Sequence, residues 1–227
     1  MIILGIETSS QICAAALVCR HQLLAEYRTN IKNNHASTLM EMIYRIYQDA
    51  KMTPQETAAI AVSIGPGSFT GLRIGLASAK GLALATGIPL IAVPTFAALI
   101  DSLPLADGRF VVIKKARAEE YYYSVYQRHN RQISLLEDVQ VLSAQTVADS
   151  LRQPCFLLGD TVDFAQLHRL PDFCVDLSDS WALPSAYDVA SFGYEMAQQG
   201  KTIHDWDALE PTYYQNFVAG KPKTSVL

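Results

Sequence analysis

The sequence lacks any hydrophobic run long enough to span a membrane as a helix, which takes about 20 apolar residues. The N-terminal apolar stretch ends at Glu7, and the stretch around Ile91 is interrupted by Pro89 and Pro94. A basic segment followed by a cleavage site, as in a secretory signal peptide, is also missing. We therefore expect a cytoplasmic protein that does not bind membranes.

Cysteine and positive charge are both scarce. The four cysteines include no C-x-x-C pair and lie mostly in apolar segments, which predicts reduced core residues. The 18 Lys and Arg residues are outnumbered by 22 Asp and Glu residues, giving a net charge of −4. Lys221 and Lys223 in the C-terminal tail are the concentrated basic feature. Nucleic-acid binding without a partner is not expected, because it usually requires a basic face.

Recognisable catalytic motifs are missing too. None of the serines lies in a G-x-S-x-G motif, and the five histidines are scattered along the chain. The spacing pairs no nucleophile with a base, and it forms no zinc-binding motif. These residues therefore predict neither a catalytic site nor a metal site.

The sequence between residues 59 and 93 has the pattern of a strand, a glycine-rich turn, a helix and a second strand. The turn contains Gly65 and Gly67, and the helix is predicted over 72–85 with Gly87 at its end. Backbone N–H groups at such a turn could hold an anion. The alternative is a tight corner without a ligand, since the glycine spacing matches neither a dinucleotide fingerprint nor a P-loop.

Small residues recur along one face of the predicted helix. They lie at intervals of three and four: Gly71, Gly75, Ser78, Ala79 and Leu82. Each interior glycine costs about 1 kcal/mol relative to alanine, so such a face indicates the close approach of another backbone. That backbone could belong to the protein's own sheet or another of its helices, or to a partner subunit.

Both halves of the chain have the same order of predicted elements. In the first, three strands precede an amphipathic helix whose apolar residues include Leu39, Met42 and Ile46. In the second, three strands near 109–113, 121–126 and 132–136 precede a helix. Two tandem βββαβα lobes are predicted, the first over 1–103 and the second, with the C-terminal helix and tail, over 104–227.

This order resembles the actin, Hsp70 and sugar-kinase superfamily, an α/β fold of two such lobes. The segments GIETSS and GPGSFTGLRIG narrow the resemblance to the TsaB (YeaZ) family, and KARAEEYYYSVY and EPTYYQN add to it. The resemblance implies a non-catalytic subunit for the synthesis of threonylcarbamoyladenosine at position 37 of tRNAs reading ANN codons. It implies pairing with the catalytic subunit TsaD, docking of the ATPase TsaE, self-pairing in isolation, and contact with tRNA only through the complex.

The resemblance also implies which residues form the partner interface. TsaD binds its metal through a helical His-x-x-x-His pair, whereas this chain has Leu39 four residues after His35, so no metal site is expected. Pairing is expected through the first two helices. The expected interface residues are His35, Leu39, Met42, Ile46, Gly71, Arg73, Gly75, Ser78, Ala79 and Leu82.

Members of the superfamily bind ATP between the lobes, with acidic residues in two hairpin turns. Here Glu7 keeps an acid in the first turn, but Lys115 stands where relatives carry an aspartate. No cofactor is therefore expected to be required, and ATP or ADP is expected only weakly or at a partner interface. The remaining contacts would come from Glu7, Thr8, Ser9, Gly65, Gly67, Lys115 and Asp160. The alternatives are an ATP-binding phosphotransferase or ATPase, or a glycoprotease-like peptidase.

Overall fold

The computed structural model of the protein describes residues 1–30, 35–104, 107–117, 119–130, 132–161, 164, 165, 168–177 and 185–212. The basic tail with Lys221 and Lys223, and the side chain of His35, lie outside the described part. Within it, no helix combines the length and the apolar character needed to cross a membrane.

The first lobe is a five-stranded sheet flanked by helices. Its strands are β1 (Ile2–Glu7), β2 (Cys13–Cys19), β3 (Gln22–Thr29), β4 (Ala59–Gly65) and β5 (Leu90–Pro94). They are ordered β3-β2-β1-β4-β5, with β1, β2 and β3 antiparallel and β1, β4 and β5 parallel. Its helices are α1 (His35–Ala50), α2 (Phe69–Thr86) and α3 (Thr95–Asp101), and a 3-10 turn spans Pro54–Glu56. Helices α1 and α2 pack on the same face of the sheet.

The second lobe repeats this topology. Its strands are β6 (Gly108–Arg117), β7 (Glu120–His129), β8 (Gln132–Ser143), β9 (Cys155–Gly159) and β10 (Cys174–Asp176), and α4 (Ala144–Ser150) follows β8. They are ordered β10-β9-β6-β7-β8, so three antiparallel strands again precede a helix and two parallel strands. The predicted actin-like fold of two tandem βββαβα lobes is thereby confirmed.

The C-terminal helix α5 (Ala186–Gln198) returns to the first lobe. It packs on the face of the first sheet opposite α1 and α2. A Cβ atom added at Gly5 would lie 2.2 Å from the carbonyl oxygen of Ala186, which shows how closely helix and strand approach. Further along, the N–H of Thr212 donates to the carbonyl of Ile64 at 2.8 Å. The prediction that the C-terminal helix belongs to the second lobe is therefore wrong.

Candidate functional site

The acid of the first hairpin turn faces the protein interior. Glu7 ends β1, and its side chain is fully buried. Oε1 accepts the N–H of Ser9 at 2.6 Å, and Oε2 accepts the hydroxyl of Ser63. Burial raises the pKa of Glu7, and the hydrogen bonds from Ser63 and Ser9 oppose this shift without cancelling it. The carboxylate thus serves as an internal acceptor for the turn.

The glycine-rich loop and the start of α2 lie directly against this turn. A Cβ atom at Gly67 would come within 2.4 Å of the carbonyl oxygen of Ser9, and one at Gly71 within 2.0 Å of that of Thr8. The N–H of Ser68 donates to the carbonyl of Ser9 at 2.7 Å, and Thr8 Oγ1 donates to the carbonyl of Gly71 at 2.8 Å. These contacts favour the tight corner over the anion-binding loop.

Several predicted nucleotide contacts do not fit this arrangement. The side chains of Glu7, Thr8 and Ser9 have no exposed surface. The N–H of Gly65 donates to Oγ1 of Thr95 at 3.2 Å. A Mg²⁺ ion bound with a nucleotide phosphate needs carboxylates that reach the open cleft, which the enclosed Glu7 does not do. Contact through Gly67, which is half-buried, stays a prediction.

In the second hairpin, the lysine whose side chain lies in the cleft is Lys114 and not the predicted Lys115. Lys115 is exposed, and it engages Asp160 through its backbone N–H, 2.8 Å from Oδ2. The side chain of Lys114, one residue earlier, lies near the carboxylates of Glu7 and Asp160. Burial lowers the pKa of Lys114, and the two carboxylates oppose that shift. Alternation along β6 puts neighbouring lysines on opposite faces and could have identified Lys114.

A small pocket opens beside this hairpin, between α3 and the ends of β6 and β9. Its lining includes Thr95, Phe96, Leu99, Lys114, Gly159 and Asp160. Lys114 lies near two carboxyl groups of its own chain, those of Glu7 and Asp160. A lysine beside its own carboxyl groups is less available to the phosphates of a magnesium nucleotide, so weak nucleotide binding stays a prediction.

The burial of Glu7 gives the stability a testable dependence on pH. A raised folded-state pKa means that the unfolded chain loses this proton first, so the free energy of unfolding falls as the pH rises above the ordinary value of 4.5. As the pH rises above 4.5, the wild type should therefore lose stability relative to Glu7→Gln, as measured by urea unfolding at a series of pH values. Glu26 and Asp188, whose pKa values are also raised, are common to both proteins. If the free energies of unfolding of the two proteins changed in parallel with pH, the raised pKa of Glu7 would be contradicted.

Most residues predicted for the partner interface lie inside the protomer. Leu39, Met42 and Ile46 are core residues, and Gly71, Gly75 and Ala79 are buried where α2 meets the sheet. Their assignment to a partner interface is wrong, because their contacts are made within one chain. The small residues of α2 let the helix approach the protein's own sheet closely, which is the first of the two interpretations of this face. For Arg73, which is exposed, and for the half-buried Ser78 and Leu82, the prediction stays open.

The opposite faces of the same two helices are exposed, and their apolar and small residues, together with Arg73, are here called the outer helical surface. It comprises Met40 and Tyr44 of α1 with Arg73, Ala77, Gly81 and Leu84 of α2. Tyr44 is 61% exposed and Leu84 is 77% exposed. The guanidinium of Arg73 lies 3.8 Å from the ring centre of Phe69. Met40, Tyr44 and Leu84 are not among the predicted interface residues, because they fall outside the apolar periodicity of the core faces.

Comparison with known proteins adds to this geometry. A family model described as "TsaD: tRNA N6-adenosine threonylcarbamoyltransferase" matches residues 22–155. The chain is 31% identical over 230 residues to the Escherichia coli "tRNA threonylcarbamoyladenosine biosynthesis protein TsaB", with 97% of each chain covered. The chain belongs to the TsaB (YeaZ) family.

Two further relatives agree with TsaB membership. The Bacillus subtilis protein of the same name is 38% identical over 139 residues, which cover 61% of this chain and 59% of the relative. The solved structure "YeaZ from Pseudomonas aeruginosa" has a TM-score of 0.81 at 26% identity, covering 93% of this chain and 99% of that one. The resemblance carried by GIETSS and GPGSFTGLRIG is thereby confirmed.

Proposed function

We propose that this chain is a non-catalytic subunit in the synthesis of threonylcarbamoyladenosine at position 37 of tRNAs reading ANN codons. It acts by pairing with a TsaD-like catalytic subunit, and a TsaE-like ATPase docks on that pair. The names of its TsaB relatives support a role in this pathway. The net charge of −4 supports contact with tRNA through the complex rather than by this chain alone.

The outer helical surface is the observation that carries the proposal. Among the described residues, Leu84 and Tyr44 are the most exposed of the large apolar side chains, and an interface uses such side chains as its apolar core. Gly81 also supports a partner interface, because a Cβ atom there would meet nothing within 4 Å in the protomer. A glycine in mid-helix with open space around it weakens the helix by about 1 kcal/mol. A partner backbone that approaches at Gly81 explains that cost.

The cleft between the lobes supports a role without chemistry or a required cofactor. Glu7 is fully buried and accepts hydrogen bonds from its own chain. Lys114 lies near Glu7 and Asp160, where a relative that binds magnesium nucleotide needs free carboxylates. A nucleotide held jointly with the partner is compatible with this arrangement. A second copy of the chain can occupy the outer helical surface when the catalytic partner is absent.

Reconstitution tests the proposal directly. Purified chain, the cognate TsaD-like and TsaE-like subunits, threonylcarbamoyl donor and unmodified tRNA are combined, and modified adenosine is measured by mass spectrometry of nucleosides. We expect modification to drop to background when this chain is omitted, and the chain alone to yield none. Calorimetry with ATP and Mg²⁺ and a peptidase assay serve as controls. Turnover of ATP or peptide by the isolated chain would contradict the proposal and favour an enzyme of the same superfamily.

A further inference from the structure

Two cysteines that are far apart in sequence face each other in the second sheet. Cys155 begins β9 and Cys174 begins β10, and the two residues are register partners in the parallel pair. Their Sγ atoms are 3.3 Å apart. Neighbouring strands are about 4.8 Å apart, which is within the Cα separation that a disulfide tolerates. A bond between the sulfurs therefore requires side-chain movement but no rearrangement of the strands.

The two thiols differ in their surroundings. Cys155 is buried, and burial together with the neighbouring Cys174 raises the pKa of its thiol to about 12. Cys174 is half-buried and lies on the three-residue strand at the edge of the sheet. A small oxidant from solvent therefore meets Cys174 first, while Cys155 stays protonated behind it.

We propose that Cys155 and Cys174 form an oxidant-sensitive dithiol, a modification site in which peroxide converts the pair to a disulfide. The Cys174 thiolate attacks one oxygen of hydrogen peroxide, and the displaced hydroxide takes a proton and leaves as water. The sulfur of Cys155 then attacks the resulting sulfenic acid, its proton leaves with the hydroxyl as a second water, and the sulfur–sulfur bond forms. Two thiols are oxidised by two electrons, and one peroxide is reduced to two waters.

The bond would tether β10 to β9, the strand that leads into Asp160 at the interlobe pocket. In the reducing conditions expected for this protein, a dithiol reductant would reopen it by exchange. This thiol chemistry is independent of the proposed role in tRNA modification, because it is a property of the isolated chain.

Thiol counting on the full folded chain tests the proposal. After treatment with hydrogen peroxide, removal of the excess and unfolding in guanidinium, we expect two titratable thiols instead of the four in the sequence. Digestion with trypsin should yield peptide 153–169 joined to peptide 170–201, lighter than the sum of the two reduced peptides by about 2 Da, the mass of two hydrogens. Dithiothreitol should restore all four thiols.

Two single variants make the result specific. Cys174→Ser should resist loss of a thiol pair and keep its three thiols, whereas Cys19→Ser, on the first sheet, should fall from three to one. Non-reducing electrophoresis should show a monomer throughout. Retention of four thiols by the wild type, pair loss in Cys174→Ser, or a cross-linked dimer would each overturn the proposal.

Discussion

Replacing Gly71 by alanine is expected to destabilise the protein by about 3 kcal/mol, whereas the same change at Gly81 should stabilise it by about 1 kcal/mol. Both glycines lie in α2, Gly71 in its first turn and Gly81 in its interior, where alanine gains about 1 kcal/mol in helix propensity. Their surroundings differ: the new methyl at position 71 would lie 2.0 Å from the backbone oxygen of Thr8, and at position 81 it meets open space. Thr8 is held in place, since its Oγ1 donates to the carbonyl of Gly71 at 2.8 Å.

Urea unfolding of the two variants and the wild type measures this difference, provided that the slope of the transition is unchanged. Equal effects at the two positions would mean that α2 does not dock on the β1–β2 turn as described. The comparison also shows why Gly75 is unsuitable for testing the partner interface. A Cβ atom there would lie 2.2 Å from Thr8 Oγ1, so a leucine would disturb the protomer before it met a partner.

Topology was predictable because its signals are local. Strand, turn and helix follow one another within short segments, and the pattern repeats in each half, so the sequence order of elements already implies the order in each sheet. The position of helix α5, in contrast, could not be predicted from such local signals. Its apolar face predicts that it packs on a sheet, but periodicity does not say which of two sheets it covers. Contacts between residues far apart in sequence determine which sheet the helix covers. One example is Gly193 with Ala61, more than a hundred residues earlier: a Cβ atom added at Gly193 would lie 2.6 Å from the Cβ of Ala61.

The candidate interface was the least predictable feature, for a physical reason. An apolar stripe at helical spacing has the same composition whether it covers its own sheet or another subunit. Leu39 and Met42 cover the protein's own sheet, while Met40 and Tyr44 project from the other side of the same helix. A more informative signal for a partner interface is an apolar residue on the face of a helix that is otherwise polar. For the lysine in the cleft, the prediction chose Lys115 instead of Lys114. Neighbouring residues of a strand point to opposite faces of the sheet, so an error of one position selects the wrong face.

Substituting Leu84 by arginine is expected to weaken binding to the TsaD-like subunit by about 100-fold or more. Leu84 is 77% exposed in the protomer, so a charge there costs the isolated chain little. If the side chain is buried at the centre of the outer helical surface in the complex, the guanidinium must lose its hydration without a prepared partner. Titration calorimetry with the cognate subunit measures the change in Kd, and a thermal melt of each variant checks that the fold is kept.

The matched control is Gln145→Arg, which introduces a charge at an exposed position of α4 in the second lobe. It should bind like the wild type, and Tyr44→Arg, on the other helix, should behave like Leu84→Arg. If both outer-surface variants bound normally while tRNA modification still depended on the chain, the partner would have to contact another surface. The proposed role would then stand without this interface. If Tyr44→Arg alone were silent, the contact would be confined to α2, where Gly81 lets a backbone come close.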